Sequence, residues 1–187
     1  RMEALVADLL LLARLEGTEA DSVRQAVPVH GMLNRMKDNA LAISSDKHHH
    51  IELDVPVDAR LIANPAELES AFGNLITNAV KYTPAEGTIH IRWWQDAHGA
   101  HLSVTDDGIG IDPAHIPRLT ERFYRPDNSR VTQTGGTGLG LAIVKHVMIR
   151  HNGRLEITSE LSKGSTFTCH FPADRLVSKP TAVGGEK

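Results

Sequence analysis

A single cysteine, Cys169, stands in the chain. One thiol excludes an internal disulfide framework and a cysteine-built zinc site, and it suits a reducing cytoplasm. Its surroundings, Thr166-Phe-Thr-Cys-His-Phe171, alternate between apolar and polar side chains, which predicts a buried strand residue rather than a nucleophile. An excess of charge of one sign is also missing: 20 Lys and Arg stand against 23 Asp and Glu, a formal net charge of -3. That balance gives no reason to expect a nucleic-acid backbone or an anionic membrane surface as partner. Long hydrophobic runs are absent too. The longest, Leu9 to Ala13, falls far short of the roughly 20 residues that cross a bilayer, and no signal peptide opens the chain. There is no initiator methionine, and the first residues already carry a helical pattern. The chain therefore reads as a piece of a longer protein.

What is present is enough for one globular domain: 187 residues, 41% of them hydrophobic, with an appended helix or tail. In residues 1–16, Met2, Leu5, Val6, Leu9, Leu12, Ala13 and Leu15 recur at spacings of three and four. That period predicts a helix with one apolar seam, ended at Gly17. The seam fits either packing on the chain's own core or the stump of a dimerising bundle. Residues 17–26 are polar and read as a linker, 27–173 as the domain proper, and 174–187 as a tail expected to be disordered. Within the domain, a short strand is expected at Val27–Val29 and a helix over Gly31–Lys47. Extended pieces follow at His50–Val55 and Arg60–Ala63. Asn64 has the features of an N-cap, with Pro65 at the first helical position and Glu67 three residues on. Its helix should reach Tyr82. Strands over Thr88–Trp94 and His101–Thr105, joined by a turn containing Gly99, come next. A long irregular stretch, 112–137, has the length of a lid or binding loop. A helix over Leu139–His151 and strands at Arg154–Thr158 and Ser165–Phe171 complete the pattern. The sum is a two-layer α/β sandwich, a mixed sheet covered on one face by helices.

Three clusters carry possible chemistry. Asn74, Asn78 and Lys81 lie at i, i+4 and i+7 on one helical stripe. The stripe is either solvated surface or a set of hard amide oxygens and a point charge suited to magnesium and phosphate. Asp106-Asp-Gly-Ile-Gly110 follows a strand end. It is either an ordinary Asp-Gly turn or a carboxylate positioned to accept from an exocyclic amine such as that of adenine. Gly135-Gly-Thr-Gly-Leu-Gly140 runs into an apolar helix, where backbone N–H groups and the helix dipole favour an anion. The dinucleotide spacing and the Walker lysine are both lacking.

Taken in order, Asn74–Tyr82, Asp106–Gly110, Glu121-Arg-Phe-Tyr-Arg125 and Gly136–Gly140 resemble the N, G1, F and G2 boxes of sensor histidine kinases. The fold this implies is the Bergerat ATP-binding sandwich, shared with gyrase, the Hsp90 chaperones and the MutL repair proteins. Leu9-Leu-Leu-Leu-Ala-Arg-Leu-Glu16 is similar to the end of the second helix of that family's dimerisation bundle. Leu119–Arg125 and Gly140–His146 look most like the phosphate-regulon branch. The resemblance implies transfer of the ATP γ-phosphoryl group to a histidine on the absent bundle, for relay to a response-regulator aspartate. It also implies a homodimeric full-length protein anchored in the bacterial inner membrane, with this part in the cytoplasm.

By the same resemblance, Asn78 holds Mg2+ through its amide oxygen, while Asn74 and Lys81 meet phosphates or their water shell. Tyr82 lies against the nucleotide, Asp106 reads the adenine amine, and Gly108, Ile109 and Gly110 line the base pocket. Gly136, Thr137, Gly138, Leu139, Gly140 and Leu141 form the phosphate side under a lid over 113–134. Phe123 anchors that lid, and Arg122 or Arg125 reaches the γ-phosphate or the partner helix. The implied catalytic positions are thus Asn74, Lys81, Arg122 and Arg125, acting by positioning and charge neutralisation.

Position 107 departs from the family: it is Asp where Asn is frequent. No histidine here resembles the phosphoacceptor box. His48-His49-His50 reads as surface histidines rather than a metal site, since neighbours on a strand alternate in direction. His146 and His151 read as surface or helix-end residues. A hydrolytic ATPase of the same fold carries a basic Glu one turn before the metal Asn. Here that position is Asn74, which cannot take a proton, so hydrolysis is disfavoured. A serine kinase of the anti-sigma-factor type and a module kept only for protein contact are the remaining alternatives.

Overall fold

The computed structural model describes residues 2–17, 23–126 and 136–177. Helix α1 (Met2–Glu16) is followed by β1 (Gln25–Pro28), α2 (Val29–Ile43), β2 (His50–Asp54), β3 (Arg60–Ala63) and α3 (Pro65–Tyr82). The hairpin β4 (Thr88–Asp96) and β5 (Gly99–Asp106) leads to a 3-10 turn at Ile116–Arg118. Then come α4 (Gly140–Arg150), β6 (Arg154–Glu160), β7 (Gly164–Pro172), a 3-10 turn at Ala173–Arg175 and β8 (Leu176–Val177).

The main sheet has five strands in the order β2-β4-β5-β7-β6. Only β2 runs parallel to its neighbour, so the sheet is mixed. Strict alternation gives it one apolar face: Ile89, Ile91 and Trp93 of β4, Leu102 and Val104 of β5, and Phe167, Cys169 and Phe171 of β7 are all buried. Against them α3 sets Leu68, Ala71, Phe72 and Leu75, and α4 sets Ala142, Ile143 and Val147. Phe72, Trp93 and Phe171 meet with ring centroids 6.4, 6.1 and 6.3 Å apart. Each such side chain contributes about 1.5–3 kcal/mol on burial. Cys169 is a fully buried strand residue of this core, and burial pushes its thiol up to about 12.

Three expectations are corrected. A second, three-stranded sheet exists, in the order β1-β3-β8. It enlists Leu176 and Val177 from the region expected to be a disordered tail, because their backbone completes β3's free edge; residues 178–187 lie outside the described residues. Gly99 belongs to β5 rather than to the turn, which is the two-residue link at Ala97 and His98. Helix α2 begins at Val29, immediately after Pro28, and stops at Ile43.

Helix α1 packs on α4 through buried Leu12 and Leu15. Leu5 and Leu11 are partly buried against the core as well, while Met2, Val6, Leu9 and Leu10 are exposed. No helix among the described residues is long and apolar enough to cross a membrane.

Candidate functional site

Helix α3 is positioned from both ends. At its start the Asn64 side chain accepts from the Glu67 amide at 3.2 Å, with Pro65 in the first turn. At its end Lys47 Nζ donates to the carbonyls of Val80, Lys81 and Thr83 at 3.1, 3.1 and 3.2 Å. His49 Nε2 donates to Thr83 O at 2.9 Å. A cation and an N–H at carbonyls that lack helical partners hold the last turn in place. So pinned, α3 buries its apolar stripe and turns Asn74, Asn78, Lys81 and Tyr82 into a cleft of about 1020 Å³. Asn74 Nδ2 donates to Ser70 O at 2.8 Å. Its Oδ1 lies against Gly140, where a Cβ would come within 2.7 Å of it.

Asp106, the last residue of β5, lines the same cleft and is only 8% exposed. The Gly108 amide donates to its Oδ1 at 2.9 Å. Burial raises its pKa, opposed by hydrogen bonds from the Gly108 and Ser165 amides, and the neighbouring Asp107 raises it further. Apolar side chains of Ile109, Ile111, Leu141, Leu161 and Phe167 line the adjacent wall. Gly110 has φ +69°, and a Cβ on it would lie 2.0 Å from the Glu160 carbonyl, so only glycine lets the chain pass here. Gly108 packs on the Tyr82 carbonyl, below the wall. Asp107 is turned outward and its Oδ1 accepts from the Thr88 amide at 2.9 Å. An amide oxygen at that position accepts the same bond.

The third corner is the glycine loop. Gly138 has φ +74° and receives the Phe123 amide on its carbonyl at 2.9 Å. A Cβ there would meet Phe123 Cα at 3.0 Å. Gly136 faces two cations: a Cβ on it would lie 2.6 Å from Lys81 Nζ and 3.0 Å from Arg125 Nη2. Partial burial lowers the Lys81 pKa, and the Arg125 charge lowers it further; no carboxylate among the described residues offsets it. The Thr137 hydroxyl donates to Asp8 Oδ2 of α1 at 2.6 Å and accepts from the Leu139 amide at 3.3 Å. Leu139 itself is fully buried below the loop, while Gly140 and Leu141 line the cleft.

The structure thus gathers Asn74, Asn78, Lys81, Tyr82, Asp106, Ile109, Gly110, Arg125, Gly136, Thr137, Gly138, Gly140 and Leu141 around one cavity. Four expected residues are outside that lining: Gly108 and Leu139 are buried behind it, and Arg122 and Phe123 are turned elsewhere. Arg122 is paired with Glu16 of α1, whose carboxylate also stands 3.3 Å from His146 Nε2. The Phe123 ring is 56% exposed with φ +62°, so the loop is held by its backbone amide and not by its side chain. Of the expected lid, 127–134 lie outside the described residues, as does Gly135 beside it. Its earlier part is tied down by contacts that sequence reasoning missed: His115 to the Tyr124 hydroxyl, and Arg118 4.3 Å above the Tyr124 ring.

One histidine expectation needs correction. His49 is buried, as an N–H donor to α3. His151 stands at the end of α4 but is only 1% exposed. Among the described residues no group of three or more His, Cys, Asp or Glu converges as a metal site.

The chain is 60% identical over 171 residues to the phosphate regulon sensor protein PhoR of Pseudomonas aeruginosa, covering 91% of this chain and 39% of that protein. To the phosphate regulon sensor protein PhoR of Haemophilus influenzae it is 40% identical, covering 96% of this chain and 42% of that protein. The chain therefore spans about two fifths of the curated relatives it matches. Among solved structures, full-length ShkA in complex with AMPPNP superposes with a TM-score of 0.81 at 27% identity, covering 96% of this chain and 37% of that one. The family model of histidine kinase-, DNA gyrase B- and HSP90-like ATPases matches residues 63–175, which take in α3, the Asp106 turn and the glycine loop. The chain belongs to that family.

Proposed function

We propose that this chain is the ATP-binding catalytic part of a sensor histidine kinase of the phosphate-regulon type. One observation carries the reading: a single cleft is lined both by Lys81 and Arg125 against a glycine loop and by the buried Asp106 carboxylate. Two cations beside bare backbone suit a polyphosphate, and a buried acceptor with an apolar wall suits an aminated base. ATP has both, at opposite ends. In this reading Asp106 accepts from the adenine amine, with Gly108, Ile109 and Gly110 shaping the base pocket. The loop from Gly136 to Leu141 takes the phosphates, and Lys81 and Arg125 neutralise the charge that develops on the transferred group.

The residues also fit a divalent cation. Asn74 commits its Nδ2 to Ser70, which leaves its oxygen facing the glycine loop, and Asn78 lines the cleft one turn later. Amide oxygens are hard ligands of the kind Mg2+ takes, so Asn78 is the proposed ligand and Asn74 its neighbour in the water shell. Mg2+ would supply charge neutralisation at the phosphates. No carboxylate stands at position 74 to draw a proton from water, which disfavours hydrolysis; the resemblance to sensor histidine kinases makes the acceptor a histidine imidazole on a bundle continuing α1. In this proposal residues 1–16 end that bundle, 17–26 are the linker and 27–177 form the catalytic domain. A response regulator then receives the phosphoryl group, in phosphate-starvation signalling, and the full-length protein is a membrane-anchored homodimer.

The test is titration with a non-hydrolysable ATP analogue, with and without Mg2+. Asp106→Asn is expected to weaken binding at least tenfold, and Asn78→Ala to remove its Mg2+ dependence. Equal binding by all three proteins sinks the site assignment. Labelled ATP and a separately made bundle then distinguish kinase from ATPase: label must appear on the bundle histidine.

A further inference from the structure

ATP has three parts, and the groups assigned above meet two of them. Asp106 with its apolar wall suits the base, and Lys81 and Arg125 beside the glycine loop suit the phosphates. The same cleft is also lined by Asp112, His115 and Tyr124, which those two roles leave unused.

The segment that carries these residues is tied down at several points. The Ile111 amide donates to Ser159 Oγ of β6 at 2.8 Å, which fixes where the chain leaves the sheet. Asp112 Oδ1 then accepts from the Ala114 amide at 2.9 Å, and the Asp112 carbonyl accepts from the His115 amide at 2.9 Å. His115 Nδ1 is hydrogen-bonded to the Tyr124 hydroxyl, with ring centroids 5.9 Å apart. Arg118 lies outside the cleft lining and over the Tyr124 ring at 4.3 Å, while its Nε donates to Glu121 Oε2 at 3.0 Å. A cation on the ring face and a hydrogen bond at the hydroxyl together set the orientation of Tyr124.

The hydrogen count of the pair decides what it can recognise. A phenol carries one O–H and a neutral imidazole one N–H. The bond between them uses one of these hydrogens, whichever ring donates. One donor and at least one lone pair are left over in either arrangement. A phosphate oxygen only accepts, so it would leave that lone pair unmet. A hydroxyl donates and accepts, and it satisfies both. Asp112 adds a carboxylate acceptor two residues before Ala114, suited to a second hydroxyl beside the first.

We propose that His115 and Tyr124 recognise a ribose hydroxyl and make the cleft selective for ribonucleotides. This rests on the nucleotide reading of the cleft and extends it to the sugar. An analogue lacking the hydroxyl leaves the donor and the lone pair of the two rings unmet, and it binds more weakly for that reason.

Calorimetric titration of the whole chain with ADP, 2′-deoxy-ADP and 3′-deoxy-ADP, in excess Mg2+, tests this. The parent is expected to bind ADP about fivefold tighter than at least one deoxy form, the size of one lost hydrogen bond between neutral groups. Tyr124→Phe, which keeps the ring, and His115→Leu should each weaken ADP and leave that deoxy form as it was, so that the ratio approaches one. Asp106→Asn should weaken all three ligands alike and preserve the ratio, which separates sugar from base. Circular dichroism of each variant checks folding. Equal affinity of the parent for all three ligands, with ADP binding still weakened by Asp106→Asn, overturns the ribose assignment and leaves the site reading standing. A preference that survives in both folded Tyr124→Phe and His115→Leu overturns it as well. No binding of any of the three overturns both readings.

Discussion

His151 occupies a place where both ring nitrogens are committed. Its Nδ1 donates to Val147 O at 2.7 Å, and its Nε2 accepts from the Asn64 amide at 3.2 Å. The ring is thus fixed as one neutral tautomer joining the end of α4 to the start of α3. Burial lowers its pKa, and among the nearby charges Glu67 opposes that shift while Arg175 and Arg24 add to it. With the folded value below the ordinary 6.5, no cost exists above that pH. As pH falls through 6.5, the unfolded chain takes a proton that the folded chain refuses, and stability drops. Urea melts from pH 7.5 to 5 should show the parent losing ground to His151→Gln, by at most about 1.4 kcal/mol per pH unit. Parallel curves would show that His151 does not titrate on unfolding. Neither this role nor those of His49 and Lys47 was legible in the sequence. Each depends on a carbonyl or amide 33 or more residues away, and no local pattern marks such partners. Asp106 and the loop glycines were legible because their types stand together in short runs, although the groups packed on the glycines, such as Lys81 on Gly136 and Asn74 on Gly140, are distant in sequence.

Helix α1 meets the cleft through charge as well as through leucine. Asp8 takes the Thr137 hydroxyl in the glycine loop, and Glu16 takes Arg122 and lies beside His146. Ion pairs this exposed contribute about 0–1 kcal/mol each, so Leu12 and Leu15 supply most of the docking. The Asp8 charge has another effect: it stands at the loop proposed to receive phosphates. A unit charge a few ångströms away at a wet surface is worth about 1 kcal/mol. Asp8→Asn is therefore expected to tighten binding of an ATP analogue about fivefold, measured by the same titration; equal or weaker binding counts against it. At this scale the sequence was mostly readable. The Asn64 cap, the α3 stripe and the strand alternation are local rules, and the elements lie within a few residues of expectation. Strand β8 was not readable, since two residues carry no period and their conformation is set by β3. The parallel placement of β2 beside β4 is equally a matter of tertiary packing.

For the whole molecule, the cleft links ligand to stability because its walls come from α3, β5, β7, α4 and the intervening loops. A ligand that binds only the folded chain at a hundred times its Kd adds about 2.7 kcal/mol. For a chain of this size that raises Tm by roughly 5–10 °C. Thermal melts with saturating Mg2+ and ATP analogue should show that rise, and Asp106→Asn at the same concentrations a smaller one; an unchanged parent Tm refutes it. Helix α1 has a wider consequence. Its 15 residues form a rod about 22 Å long, seated through Leu12 and Leu15 with Leu5 and Leu11 also against the core, while Met2 and Val6 stay exposed toward its open start. Residues so far along a rod share its axial rotation, so a twist applied at the open end arrives at Leu12 and Leu15 undiminished. There it would either carry the domain with it or lift those leucines from their seats, which makes α1 a torsion bar between whatever holds its free end and the glycine loop.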